Sequence, residues 1–536
     1  MKKIISAIAA LMLVLTVFAG CSAQTNDTAE SASPSVAVTQ TVSSDTTGED
    51  EMFTDRDKEI GYSESESTLI TLQDGKTSIN GDGAKVDDNT VTISEEGTYI
   101  LTGSLSNGQI VVDASDDAKI QIVLNSADIT NESSAAIYVK NADKVFITTA
   151  SGSENTLSVT GEYLAIDDNN IDAAIFAKSD LTLNGAGTLT INADYGHGVV
   201  SKDDLAVTCG TYNITSASSA LTGKNSVRIA DGTFTLNAGT DGIHSENEDD
   251  TTLGFVYIAG GTFSISAGDD GIHAETDVKI LGGTLDIKNS YEGIEGLTVN
   301  ISGGDITVIA SDDGLNAAGG NDGSGGEGKA AMQAVDGCLI TISGGNLTID
   351  AGGDGIDSNG SLAISGGDIT VSGPTDNTNG TLDYNGTAVI TGGTLVGAGS
   401  SGMAQGFSDS STQGSILYVL TGTQKAGTQV TLKDSSGNVI AQFAPEKEFQ
   451  SVNISAKEIA NGSTYTLTVG TDEYSIEMTA ITYSNGGGMG MGGGGQMPSG
   501  GGQMPSGGQG GGPGGKGQAP FNGAGTDATS SATSAQ

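Results

Sequence analysis

The chain has 536 residues, with 66 Asp and Glu against 21 Lys and Arg, a formal net charge of −45. That balance excludes nucleic acid and an anionic membrane surface as partners, because both would be repelled. With 83 Gly, 4% aromatic residues and no Trp, a large aromatic core is excluded too, and a fold with many tight corners is favoured.

In chain order, Met1–Cys21 reads as a targeting segment. Lys2 and Lys3 form its positive end, Ile4–Val17 its apolar stretch, and Phe18-Ala19-Gly20-Cys21 resembles a bacterial lipobox. The expectation is a signal peptide over residues 1–20 and lipidation of Cys21. The protein would then sit on the extracellular face of the cell membrane and touch the membrane only through its anchor. Residues 21–68 read as a tether: Ser22–Glu51 is rich in Ser, Thr, Ala and Asp with few large apolar residues, and Phe53–Thr68 is charged and transitional.

Alternation of apolar and polar residues begins at Leu69. Thr90–Ser94, Thr98–Thr102, Gln109–Val112 and Ile120–Leu124 are strand-like. A repeat then dominates, best preserved at Val256–Thr276, Val-Tyr-Ile-Ala-Gly-Gly-Thr-Phe-Ser-Ile-Ser-Ala-Gly-Asp-Asp-Gly-Ile-His-Ala-Glu-Thr. Further copies begin at Val227, Val278, Val299 and Ile340, and the closest-spaced starts give a period of roughly 22 residues, in the range of a solenoid. Each copy holds three short alternating strands separated by Gly-rich corners. Residues 69–408 are therefore predicted to form an all-β parallel β-helix, one repeat per coil.

Stacking places like residues about 4.8 Å apart. One predicted ladder points inward: Ile243, Ile272, Ile294, Leu315, Ile356 and Leu382. Beside it runs an outward acidic ladder, Asp241, Asp270, Glu292, Asp313 and Asp354, flanked by His244, His273, Glu295, Asn316 and Asp357. Asp and Gly are good turn formers, which accounts for single aspartates but poorly for a ladder over five coils. Anions stacked at this spacing need neutralising, and Ca²⁺ suits clustered hard oxygen ligands. The candidate Ca²⁺ ligands are Asp241, Asp269, Asp270, Glu292, Asp312, Asp313, Asp354 and Asp357. His244, His273, Glu295 and Asn316 are the candidate sugar contacts. The early copies Ala135-Ala136-Ile137-Tyr138 and Ala173-Ala174-Ile175-Phe176 carry the same unit without the acids.

Gly319–Lys329 interrupts the coils as a Gly-rich excursion, and Asp376 and Asp383 lie near the expected acidic corner of later, drifting copies. Residues 409–483 change style into a small C-terminal β unit that would cover the last open coil. Residues 484–536, with Gln-Met-Pro-Ser-Gly-Gly repeated, are of low complexity and read as disordered. Cys209 and Cys338 lie about five coils apart, too far for a disulfide.

The lipobox, the tether, the Asp-Gly-Ile coils, the β unit after Gly414 and the Gly/Met/Gln tail together resemble the clostridial carbohydrate-binding β-helix lipoproteins, a family similar in fold to family 9 pectate lyases. The resemblance covers about Leu69–Tyr483. It implies a right-handed β-helix, Ca²⁺ at acidic corners, and extracellular binding of polysaccharide, with polygalacturonate and cellulose as leading partners. Those lyases hold Ca²⁺ with an Asp-Asp-Gly-x-Asp cluster and abstract the C5 proton of the uronate with a basic side chain. Asp269-Asp270-Gly271-Ile272 and Asp312-Asp313-Gly314-Leu315 match that cluster, but His273 and Asn316 stand where the last Asp would be. Asp354-Gly355-Ile356-Asp357 keeps the last acid and has Gly353 for the first. Lys288 is the nearest candidate base, and no catalytic residue is assigned. Three readings stay open: a non-catalytic, calcium-dependent polysaccharide binder, a polyuronate lyase, and a structural surface protein.

Overall fold

The computed structural model describes residues 52–165, 167–318 and 334–486. The predicted signal peptide, Cys21, the Gly319–Lys329 excursion and nearly all of the tail lie outside the described residues.

The fold is a parallel β-helix of about 11 turns with 2% helix. Each central coil contributes three strands, such as Phe255–Ile258, Thr262–Ala267 and Ile272–Ala274. Equivalent strands of successive coils pair in parallel and build three stacks. The first stack ends at Ala388–Ile390, the second at Thr394–Gly399 and the third at Leu382–Tyr384.

Alternation fixes the register. Ile243, Ile272, Ile294, Leu315, Ile356 and Leu382 stand in one ladder, each fully buried, as the apolar pattern requires. The few aromatics also stack on themselves: the Phe234 and Phe263 rings lie 4.5 Å apart at 4°. Between the first and second stacks the chain turns through a glycine in the left-handed region, for example Gly283 with φ 99°. A Cβ there would meet the Gly261 carbonyl oxygen of the coil before at 2.8 Å, so both conformation and space require glycine.

The two ends of the helix close differently. At the start, Thr68–Leu72 pairs antiparallel with Ser78–Asn80, and Ala84–Asp87 with Thr90–Ile93. At the other end, Phe449–Ser455 pairs antiparallel with Thr394–Gly399, which occupies an edge that would otherwise offer free backbone groups. Beyond it, Val430–Asp434, Val439–Phe443, Thr464–Val469 and Asp472–Glu477 form a four-stranded antiparallel sheet over its own apolar cluster.

The span read as a tether contains a packed segment. Asp55–Lys58 is a one-turn helix closed by a capping box between Thr54 and Asp57. Asp57 is 2% exposed, and its Oδ1 accepts from the Thr182 hydroxyl at 2.5 Å and lies 2.8 Å from Lys144 Nζ. Its carbonyl oxygen accepts from Asn184 Nδ2 at 3.0 Å and from the Thr208 hydroxyl at 2.9 Å. The Arg56 guanidinium sits 4.5 Å from the Phe146 ring centroid, and Phe53 tilts against Tyr257 at 6.2 Å. Residues 53–57 thus lie as a strap on the outer face of the first stack, and Tyr257 is fully buried there. Composition reads this stretch as unanchored because its acids and bases look solvated. Arg56 and Asp57 in fact have partners far along the chain.

Removing the Asp57 carboxylate would leave the Lys144 ammonium, 11% exposed, without its closest counter-charge. Asp57→Ala should cost about 3–5 kcal/mol, the range for breaking a buried ion pair from one side. Burial alone would raise the Asp57 pKa, but Lys144 and Thr182 hold it below its ordinary value. Its contribution is therefore present above the unfolded carboxylate pKa of about 4 and fades as pH falls below that. Denaturant melts of the two proteins at neutral pH measure the loss, and a difference under about 1 kcal/mol would show that the strap is dispensable.

A buried acidic column on the third strand stack

The outer face of the third stack carries two adjacent columns, set by the same register as the isoleucine ladder. One residue after each ladder position come Tyr138, Phe176, Val200, Thr222, His244, His273, Glu295, Asn316, Asp357 and Asp383. Two residues before each come Ala173, His197, Ser219, Asp241, Asp270, Glu292, Asp313 and Asp354. The face changes from apolar to acidic along the helix. At the apolar end, Ile171 and Tyr163 cover Tyr138, Phe176 and Val200.

Sequence places these acids outward, and the structure shows them covered. Asp241 and Asp354 are 7% exposed, Asp270 3%, Glu292 8% and Glu295 1%. The cause is the stacking itself, since each side chain is roofed by its equivalents one coil above and below. One oxygen of Asp241, Asp270 and Asp313 accepts the N–H of the next coil's equivalent residue. Asp270 N donates to Asp241 Oδ1 at 3.3 Å, Glu292 N to Asp270 Oδ1 at 3.3 Å, and Asp354 N to Asp313 Oδ1 at 2.6 Å. A carboxylate oxygen of Asp241, Asp270 and Glu292 turns to the flanking column.

What it meets there differs along the column. Asp241 Oδ2 lies 2.8 Å from His244 Nδ1, and Asp270 Oδ2 2.9 Å from His273 Nδ1. The two imidazoles stack at 5.0 Å and 12°. Burial disfavours a charge on His273, yet the Asp270 and Glu295 carboxylates overcome it and hold the ring protonated up to about 11. Farther along, Glu292 Oε2 accepts from Asn316 Nδ2 at 2.5 Å. Then follow Asp313, Asp354, Asp357 and Asp383, with only backbone and amide donors as hydrogen-bond partners among the described residues. Burial raises Asp270 to about 7, Asp313 to about 7 and Asp354 to about 8, and with Glu295 it raises Glu292 to about 9. Burial and the Asp313 charge push Asp357 well above the carboxylate range.

Three details bear on a cation. Asp270, His273 and Glu295 offer ligand atoms that all lie within 4.8 Å of one another. Asn316 Oδ1 is a buried acceptor without a hydrogen-bond donor, on a residue 1% exposed, while Glu295 Oε2, one coil earlier, lies 2.9 Å from His273 Nδ1. Gly353 leaves a space that a Cβ would fill, and there it would collide with both Asp312 Oδ1 and Asp313 Oδ1. Buried oxygen donors that converge are the donor set of a hard divalent cation.

The column unites Asp241, Asp270, Glu292, Asp313, Asp354 and Asp357. Asp269 and Asp312 occupy the position just before it, half-buried, with Asp312 bonded to the Tyr291 hydroxyl. Glu295 and Asn316, expected as sugar contacts, are buried and face the acids, so a polymer chain cannot reach their side chains. His273 is 8% exposed and committed to Asp270, while His244 keeps more access and is also 3.4 Å from Glu246 Oε2. Lys288 stands exposed on the second stack, away from this face. Asp383 belongs to the column, paired in register with Asp357 and bonded by Gln405, whereas Asp376 is exposed and caps Thr378.

Comparison with known proteins bears on this domain. A carbohydrate-binding domain-containing protein of Acetivibrio thermocellus is 37% identical over 137 residues, 25% of this chain and 48% of that protein. The match therefore spans about half the length of that relative. A solved polysaccharide lyase-like protein from C. thermocellum, a gadolinium derivative, is 32% identical and aligns over 46% of this chain and 96% of its own, with a TM-score of 0.39. Residues 87–337, which hold the strands from the early coils through the Asp313 corner, match the family described as carbohydrate-binding domain-containing protein and belong to it.

Proposed function

We propose that this protein binds polysaccharide without cleaving it, through Ca²⁺ held in the acidic column of the third stack. The family supplies the ligand class. The observation that carries the metal is Asn316 Oδ1, a buried acceptor without a hydrogen-bond donor, inside a run of carboxylates. A hydrogen-bonded corner built only for turning would satisfy such an atom or expose it. In this reading Glu292, Glu295 and Asn316 hold one ion, and Asp312, Asp313, Asp354 and Asp357 surround another. Bound Ca²⁺ would supply positive charge and open coordination positions to sugar carboxylates. An acidic polymer such as polygalacturonate is the ligand this favours, since the chain's −45 repels it unless a divalent ion bridges the two. Regular spacing along a rigid helix lets individually weak contacts add up on a repeating polymer.

Binding is favoured over elimination because the imidazoles, the basic groups nearest the acids, are committed to Asp241 and Asp270. A general base must be free to take a proton at operating pH. We also propose that Cys21 is lipidated and holds the protein outside the cytoplasmic membrane, on the strength of Phe18-Ala19-Gly20-Cys21.

Affinity electrophoresis in polygalacturonate gels should show retardation with Ca²⁺ and none with EGTA. Asp313→Asn and Asp354→Asn should each weaken it about tenfold, roughly the loss of one charge-assisted contact. Retardation that survives EGTA would refute bridging, and release of unsaturated uronates would establish the lyase reading instead.

The pH dependence is a separate test. Asp270, Asp313, Asp354 and Glu292 keep protons in the metal-free fold up to about 7, 7, 8 and 9. The unfolded chain loses them near 4, so over that window the folded state binds more protons and rising pH favours unfolding. Calcium replaces those protons, which makes its binding tighter as pH rises. The melting temperature in EGTA should therefore fall between about pH 5.5 and pH 8.5, and the gap between Ca²⁺ and EGTA should widen. Superimposable melts at the higher pH would mean that the column holds no metal.

A further inference from the structure

The second stack presents a surface of opposite character. Its four consecutive strands Thr188–Ala193, Thr211–Ser216, Thr233–Ala238 and Thr262–Ala267 have twelve outward positions, occupied by seven Thr, three Asn and two Ser. None of the twelve is charged, although the chain as a whole carries −45. Charge returns on either side, with Glu154 one coil earlier and Asp286 and Lys288 one coil later. The patch extends roughly 14 Å along the helix axis and about 13 Å across it.

β-propensity accounts for the threonines of this face but not for Asn192, Asn213 and Asn237, since strands disfavour asparagine. The side chains of these three asparagines make no hydrogen bond among the described residues, so their amides are available to a ligand. The neighbouring faces are covered, the first stack by the strap of residues 53–57 and the third by Tyr163 and Ile171 at its apolar end. The second stack is open here, with Asn192, Thr215, Thr233, Thr235, Asn237 and Thr262 all exposed.

A trough of about 380 Å³ borders the patch at the corner toward the third stack, lined by Asn237, Gly239, Ser266, Gly268 and Asn289 among others. Its lining is uncharged. Two exposed aromatics stand at nearby register positions: Tyr195, 41% exposed, one coil before the trough's first residue, and Tyr291, 50% exposed, two residues after Asn289 with its hydroxyl on Asp312. Aromatic rings with one apolar face and a polar tip are suited to amphipathic ligands.

We infer that this face, with its trough, is a second polysaccharide site that takes an uncharged, extended glycan independently of calcium. Hydroxyls and amides repeat every coil on a rigid sheet, so they can meet the repeating hydroxyls of such a polymer. Threonine is stiff at χ1, and little side-chain freedom is lost when its hydroxyl is engaged. Each hydrogen bond is weak against water, and the number formed at once supplies the affinity. A charged surface would need to be desolvated without compensation by a neutral chain; this surface avoids that cost.

The test is depletion of the full chain from solution by microcrystalline cellulose and by insoluble mannan, in EGTA throughout. The protein should bind at least one of the two, and Asn213→Asp with Asn237→Asp should weaken that binding at least tenfold. Thr235→Val, which keeps shape and removes the hydroxyl, should weaken it severalfold with an unchanged melt. Calcium-dependent retardation by polygalacturonate, measured on the same variants, should persist, so that failure of either site is told apart from failure of the other. Failure to bind both polymers in EGTA overturns the inference, as does undiminished binding by all of these variants.

Discussion

One distance governs this molecule: coils rise by about 4.8 Å, so every side chain is stacked on its equivalents. For isoleucine over isoleucine that repetition is favourable, and the ladder from Ile243 to Leu382 is fully buried as a result. For carboxylates the same repetition is costly. Like charges at a few ångströms repel, and their mutual shielding removes the water that would otherwise screen them. Asp241, Asp270, Glu292 and Asp354 bear both penalties at once. The backbone offsets part of the cost by donating one N–H to one oxygen of Asp241, Asp270, Asp313 and Asp354. It cannot serve the second oxygen, and the whole chemistry of the column concerns that second oxygen.

The two ends of the column solve that problem differently. Around Asp241 and Asp270, stacked histidines bring positive charge into the fold, and the His273 proton is shared out between carboxylates that need it. Around Asp313, Asp354 and Asp357 no side chain of the described residues supplies a cation in hydrogen-bond or ion-pair contact. Protons or a metal ion must then do so. Glu295, still in contact with His273, and Asn316, whose Oδ1 has no donor, mark the junction where the histidine series ends. A single column thus holds an internally neutralised segment beside one that depends on what the solution provides.

The parts of the fold legible in the sequence are those that leave a periodic mark. Alternation at period two and glycines at the corners revealed strands, coils and inward ladder, because each of these is enforced locally in every repeat. Burial of the acids left no such mark. Outward alternation normally means solvent, and whether an outward residue is roofed depends on side chains one coil away in either direction. That is why Glu295 and Asn316 read as sugar contacts and prove to be interior. The strap escaped for a related reason, since Asp57 finds Thr182 across 125 positions. Asp383 was displaced from the expected spacing because 26 residues, not about 22, separate Asp354 from its next-coil equivalent Gly380.

The early coils show what the backbone asks of this face, and it asks little. Tyr138, Phe176 and Val200 occupy the register positions that His244, His273 and Glu295 occupy later, on strands paired in the same way. Apolar residues there are covered by Ile171 and Tyr163 and stabilise the helix by ordinary burial. The parallel β-helix is therefore compatible with either filling, and the apolar one costs less. Exchanging buried ionisable groups for packed apolar ones is often neutral or stabilising. Acids placed over five successive coils, against that gradient of stability, are therefore not required by the fold. The uncharged second stack makes the same point from the other side, because asparagine in mid-strand also gives up stability that a β-branched residue would supply.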